Sequence, residues 1–163
     1  MRTIFVMLAV LFSQLCSAEP AKLTSLCGFD FDLVTPDELF HEPTALKRLG
    51  HGMSTEPLFH TYHIKDGGYL ELSFIENDSW LHQVRIGKEP SKPVHGEKRL
   101  NRNCATREGL RIGDSIRKAR ALYGSGDAED SALWYHYDEF EIEARIYFKN
   151  EKIIAIEVGS TAP

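Results

Sequence analysis

Every second position from 140 to 148 is apolar. Phe140, Ile142, Ala144, Ile146 and Phe148 share one side, while Glu141, Glu143, Arg145 and Tyr147 share the other. Successive side chains of a strand point to opposite faces, so this run reads as a strand with one dry side and one wet side. Such strands belong to antiparallel sheets covered on one face, since parallel sheets are buried on both. Lys149-Asn150-Glu151 reads as a hairpin turn into a second strand over 152–158, and another run over 133–137 comes before.

The dry side needs a cover, and the residues upstream supply one. Asp114-Ser115 stand as an N-cap pair, then Ile116, Ala119, Leu122 and Tyr123 recur at helical spacing, and Gly124 ends the helix. Ahead of it, Gly109-Leu110-Arg111-Ile112-Gly113 alternates like a short strand, and 124–127 reads as loop. The earlier part of the chain repeats this order. Thr35-Pro36-Asp37-Glu38 is a capping box, Pro43 breaks that helix and opens a second over 44–49, and Gly50 closes it. Strand-like runs follow at 59–64, 69–75 and 80–86, with Asp66-Gly67-Gly68 and Glu76-Asn77-Asp78 as turns.

Laid side by side, Tyr62-His63 matches Tyr135-His136, Phe74-Ile75 matches Tyr147-Phe148, and 84–87 matches 156–159. The expectation is an α+β fold of two tandem repeats, each a helix followed by an antiparallel meander, over about 24–87 and 104–159. Residues 88–103, with Pro90, Pro93 and Gly96, form the linker.

The first eighteen residues read as an address. Arg2 is followed by the apolar run 4–12 and by Cys16-Ser17-Ala18, the pattern of a secretory signal peptide cleaved after Ala18. Nine apolar residues are too few to span a bilayer, which takes roughly 20. Bulky Leu15 speaks against lipidation of Cys16, so no stable membrane anchor is expected. The mature chain, 19–163, keeps two cysteines, Cys27 and Cys104. In an oxidising compartment the simplest reading is one disulfide, the alternative being two buried free thiols. At 42% hydrophobic and net charge -5 the chain has material for a core and is not composed like a disordered one. The acidic balance, with no basic run, speaks against a nucleic-acid partner.

The run Gly109-Leu110-Arg111-Ile112-Gly113-Asp114-Ser115, the helix ending Leu122-Tyr123-Gly124 and the meander after it resemble the repeat of the β-lactamase inhibitor protein-like fold. That repeat is also seen singly in BamE/OmlA-type outer-membrane assembly lipoproteins. The resemblance covers about 106–159, with a looser fit in the earlier copy. It implies helices packed on one face of a longer, curved antiparallel sheet, and a non-enzymatic extracytoplasmic protein that binds another macromolecule.

Chemistry-bearing motifs are few. His41-Glu42 opens like HExxH, but Pro43 and Ala45 break the motif, and His95-Gly96-Glu97 lacks the PCxxC of zinc deaminases. There is no GxSxG, GxxxxGK[ST] or GxGxxG, so no cofactor is called for and a hydrolase has no motif in its favour. Asn77-Asp78-Ser79 fits a glycosylation sequon. Seven histidines leave a metal- or small-ligand-binding alternative, with His60, His63 and His136 as its ligands. The leading expectation is a binding module, an inhibitor, immunity-type protein or envelope assembly factor, that meets another extracytoplasmic protein through the wet sheet face. With Leu70/Leu72/Phe74, Val84/Ile86 and Ile154/Ile156/Val158 on the dry side, Tyr69, Arg85, Trp134, Arg145 and Tyr147 are the expected contacts. Tyr, Trp and Arg are the types that dominate interface hot spots.

Overall fold

A computed structural model describes residues 19–32, 41–53, 56–76 and 80–161. The expected signal peptide, the capping box at 35–38 and the sequon at 77–79 lie outside these residues. The architecture is α+β and rich in sheet, with two α-helices among the described residues: α1 (Glu42–Leu49) and α2 (Ile116–Tyr123). A small hairpin pairs β1 (Ser25–Leu26) with β2 (Phe29–Asp30). The main sheet has eight strands: β3 (Phe59–Ile64), β4 (Tyr69–Phe74), β5 (Leu81–Gly87), β6 (Arg99–Leu100), β7 (Asp127–Glu129), β8 (Ala132–Tyr137), β9 (Ile142–Lys149) and β10 (Lys152–Ser160). Their order is β6-β3-β4-β5-β10-β9-β8-β7, so the last strand in sequence lies at the centre.

Local chemistry accounts for the ends of these elements. The Ser115 side chain caps α2 by accepting from the Lys118 N–H, and Gly124 ends the helix with φ 83° while its N–H returns to the Arg120 carbonyl. α1 carries Pro43 in its first turn, where a missing N–H costs nothing, and it too ends on a glycine, Gly50, at φ 76°. Asn150 and Glu151 both have positive φ, the two-residue turn that suits the twist of paired strands β9 and β10.

The core lies between the helices and one face of the sheet. Leu70, Leu72, Val84, Ile86, Ala144, Ile146, Ile156 and Val158 are fully buried there, joined by Ala45 of α1 and by Ile116 and Ala119 of α2. Leu23, Leu26 and Phe29 close the same core from the N-terminal side. The β1–β2 turn is stapled to the far end of the linker by the Cys27–Cys104 disulfide, which spans 77 positions of sequence.

Several expectations need correction. Residues 109–113 form consecutive turns rather than a strand. The Gly109 N–H donates to the Thr106 carbonyl and the Arg111 N–H to the Asp114 carboxylate, while Leu110 is carried fully into the core and half-buried Ile112 packs against it. Phe140 does not extend the dry face of β9. It sits in a 3-10 turn over Asp138–Phe140, followed by Glu141 in the left-handed region, and stays 39% exposed. Trp80 likewise precedes β5 and is exposed. A β-bulge between Ile153 and Ala155 sends Ile153 into the core and turns Ile154 to the wet side, reversing the expected placement of 154. Asp127, expected at the end of a loop over 124–127, opens edge strand β7 (Asp127–Glu129). The linker contributes β6, which runs parallel to β3, so the sheet is mixed rather than wholly antiparallel.

Candidate functional site

Strand register decides which side chains share the wet face. Glu71 pairs with Arg85, Arg85 with Glu157, Glu157 with Arg145, and Arg145 with Trp134. Paired residues point the same way, so these five form one row across five strands, with carboxylates and guanidiniums alternating. The next row holds Tyr69, Gly87, Ala155 and Tyr147. All five expected contacts, Tyr69, Arg85, Trp134, Arg145 and Tyr147, therefore lie on one face.

The two ends of the row differ in how they meet solvent. At the β9–β8 end Arg145 lies flat on Trp134, its guanidinium carbon 3.8 Å from the ring centroid. Trp134 in turn stacks with His136, the ring centroids 6.2 Å apart. The same guanidinium bonds Glu143 and reaches Glu157 at 3.4 Å, and its side chain remains 31% exposed. A planar cation held over an indole face and braced by two carboxylates has little rotameric freedom left to lose on contact with another molecule.

At the β4–β5 end the expectation of an open face fails. The linker turns back at Lys88, whose N–H donates to the Ile154 carbonyl, and residues 88–92 cross the sheet as a strap. The Ser91 N–H and hydroxyl both donate to Glu71 Oε1, at 2.7 and 3.0 Å, and Arg85 donates to the Glu89 carbonyl at 3.2 Å. Glu71, also ion-paired with Arg85, is left only 2% exposed. Arg85 reaches its partners by lying across Gly87, where a Cβ would come within 2.7 Å of the guanidinium. Tyr69 packs its ring on His63 at 4.5 Å and is half-buried. Sequence reasoning had treated 88–103 as mere connection. The signal it passed over was the run of charged residues at 88, 89 and 92 beside a strand face already crowded with Glu and Arg.

Between strap and sheet lies an open cleft of about 860 Å3, with Glu157 and both arginines on its floor and Lys88, Lys92 and Lys149 in its lining. Burial pushes the Glu157 carboxyl above its usual range, against the pull of Arg145 and Arg85. A carboxyl with a raised folded-state pKa stabilises the fold most below its unfolded value near 4.5, and that contribution is lost as pH rises through the folded value. Comparing urea midpoints across mildly acidic to neutral pH, Glu157→Gln should lack the decline that wild type shows above about 4.5. Parallel profiles would show that the arginines fully offset the burial.

The histidines do not converge. His60 lies on the core side, hydrogen-bonded to Glu42 of α1 at 2.8 Å. His63 is on the wet side of β3, and His136 is on β8, five strand positions away across the sheet. At ~4.8 Å per strand that is about 24 Å, so His60, His63 and His136 cannot share an ion. Among the described residues no group of three or more His, Cys, Asp or Glu is arranged to hold a metal, and no helix is long and apolar enough to cross a membrane.

No family model and no curated protein matches the chain. Among solved structures it is similar to a DUF4309 family protein, YjgB, from Bacillus subtilis subsp. subtilis str. 168. The TM-score is 0.47 at 11% identity, with 74% of this chain and 78% of that chain covered.

Proposed function

We propose that this protein is an exported, non-enzymatic binding module that engages another extracytoplasmic protein through the open half of its wet sheet face. The observation that carries the reading is the Arg145–Trp134 stack, braced by Glu143 and Glu157 and flanked by Tyr147. Large, rigid, amphipathic side chains lose little entropy when covered, and they are the residues on which interface energy concentrates. Such a module works by occlusion or scaffolding and needs no bond-making step. The leader-like residues 1–18 and the Cys27–Cys104 disulfide support a periplasmic or secreted location.

The chain also reads as a duplicated unit. Tyr62 donates its hydroxyl to the Gly50 carbonyl at the end of α1, and Tyr135 donates to Gly124 at the end of α2. The strand order β3-β4-β5 is mirrored by β10-β9-β8 about the Arg85–Glu157 pair. Through that pair Leu72 corresponds to Ile146 and Phe74 to Phe148, one residue along from the sequence alignment.

The test is capture from periplasmic extract of the native host by the purified protein beside W134A/R145A. Recovery of one stoichiometric protein, lost by the double variant, is the expected result. Equal capture by the variant, or no capture, would sink the sheet-face reading.

A further inference from the structure

We infer that the cleft on the wet face takes an extended acidic segment of the partner protein, its carboxylates meeting Lys88, Lys149 and Arg145 while alternate side chains rest on Tyr147 and Ile154. The inference depends on the protein-binding reading above and adds the chemistry of what is bound.

The face already holds one segment of chain, which bends at 88–89 and again at 91–92 as it crosses. Lys88 is tied by its N–H to the β10 backbone at Ile154, and beyond it the segment is held by side chains: Glu71 takes the Ser91 N–H and hydroxyl, and Arg85 donates to the Glu89 carbonyl. Side chains of this sheet therefore bind the polar groups of a chain segment laid across them. In the mirrored half Arg145 occupies the position that Glu71 holds in the first, since each pairs with a member of the central Arg85–Glu157 couple. The sign is inverted. Where the strap offers donors to a carboxylate, a segment over Arg145 must offer acceptors.

Charge in the cleft points the same way. Five cations line it against three carboxylates, in a chain whose net charge is -5. Two of the three carboxylates, Glu71 and Glu157, are only 2% and 12% exposed and already face Arg85 and Arg145. Lys92 is paired with Glu56 and covers the Phe59 ring. Lys88 and Lys149 are exposed, and among the described residues neither has a carboxylate within ion-pair distance. A basic mouth on an acidic protein steers anionic partners toward it and turns cationic ones away. The apolar part of the floor comes from Tyr147 and from Ile154, which the β10 bulge turns to this side. The cleft volume falls within the roughly 300–1,000 Å3 typical of ligand pockets.

Fluorescence anisotropy of the purified protein would use a short labelled peptide in which Glu alternates with Tyr or Leu. Controls are the same peptide with Gln or Lys in place of Glu, and phosphatidylglycerol vesicles. The expected result is binding of the acidic peptide alone, weakened by added salt and lowered about tenfold or more in K88E/K149E. Both lysines are exposed, so the variant should keep the wild-type urea midpoint. Lys149→Gln alone, with a smaller loss, guards against a folding defect. Equal binding of the Gln or Lys peptide, undiminished affinity in the double variant, or preference for the vesicles would overturn the inference. A partner captured by wild type and lost by W134A/R145A, but indifferent to K88E/K149E and to excess acidic peptide, would overturn it too. That last pattern would leave the sheet-face reading standing.

Discussion

Glu71→Ala is expected to destabilise the protein by about 3–5 kcal/mol, because removing one partner of a buried ion pair strands the other. Glu71 has three bonding partners, the Arg85 guanidinium and both donors of Ser91, and almost no contact with water. Without it the Ser91 N–H loses its acceptor, and Arg85 loses its direct ion pair, keeping only the Glu89 carbonyl and the more distant charge of Glu157. The strap should then come free before the sheet does. Limited tryptic proteolysis after Lys88 should accelerate in the variant under conditions where wild type resists, while Lys92, followed by Pro93, stays uncut. Glu71→Gln, which keeps an acceptor for Ser91, should cost less, about 1–3 kcal/mol. Urea unfolding measures all three proteins. A Glu71→Ala loss under about 1 kcal/mol would show that water or a neighbour replaces the carboxylate.

Loss of the disulfide is the second large effect. In the chain-entropy model a bridge closing 77 residues contributes about 4.5 kcal/mol by restricting the unfolded chain. Both sulfurs are buried, and other ties converge on the same place. The Cys27 N–H donates to Ala105, Arg102 donates to the Cys27 carbonyl, and Arg107 grips Asp32 through two nitrogens. Those native contacts survive reduction but cannot restrict the unfolded state. C27S/C104S, and wild type under reductant, should therefore lose a similar amount of stability, read as a drop in the urea midpoint with a steeper slope, because the unbridged unfolded chain exposes more surface. A loss below about 1 kcal/mol would mean that the reduced unfolded chain is already compact around this loop.

What could be read from the sequence followed from how local its causes are. Helix α2 and its two caps were legible because Ser115, the apolar spacing and Gly124 act within two turns. Strand β3 matched its expected 59–64, and the whole wet row followed from period-two alternation. The errors arose where one residue breaks a period. A bulge at 153–155 adds a position that alternation does not reveal, which moved Ile154 to the wrong face. Glu141 in the left-handed region ends the strand pattern before Phe140, though the letters alternate without a break. The strap was illegible for another reason. Nothing in 88–92 is apolar or periodic, and its place depends on Glu71, twenty positions before Ser91. That the five candidates share one face was legible, but the covering of half that face was not.

The central position of β10 bears on how the chain is made. β5 and β9 both hydrogen-bond to β10, and they meet nowhere else in the strand order. As the chain leaves the ribosome or a translocation pore, every other strand emerges before the one that joins the halves. Until 152–160 has emerged, β5 and β9 are raw edges able to recruit strands from other molecules. Completing the sheet needs a contact between residues some 70 apart, as in Arg85 with Glu157, and topologies of such long-range pairing fold in about milliseconds to seconds. Deleting that last strand should therefore yield aggregates rather than two independent halves.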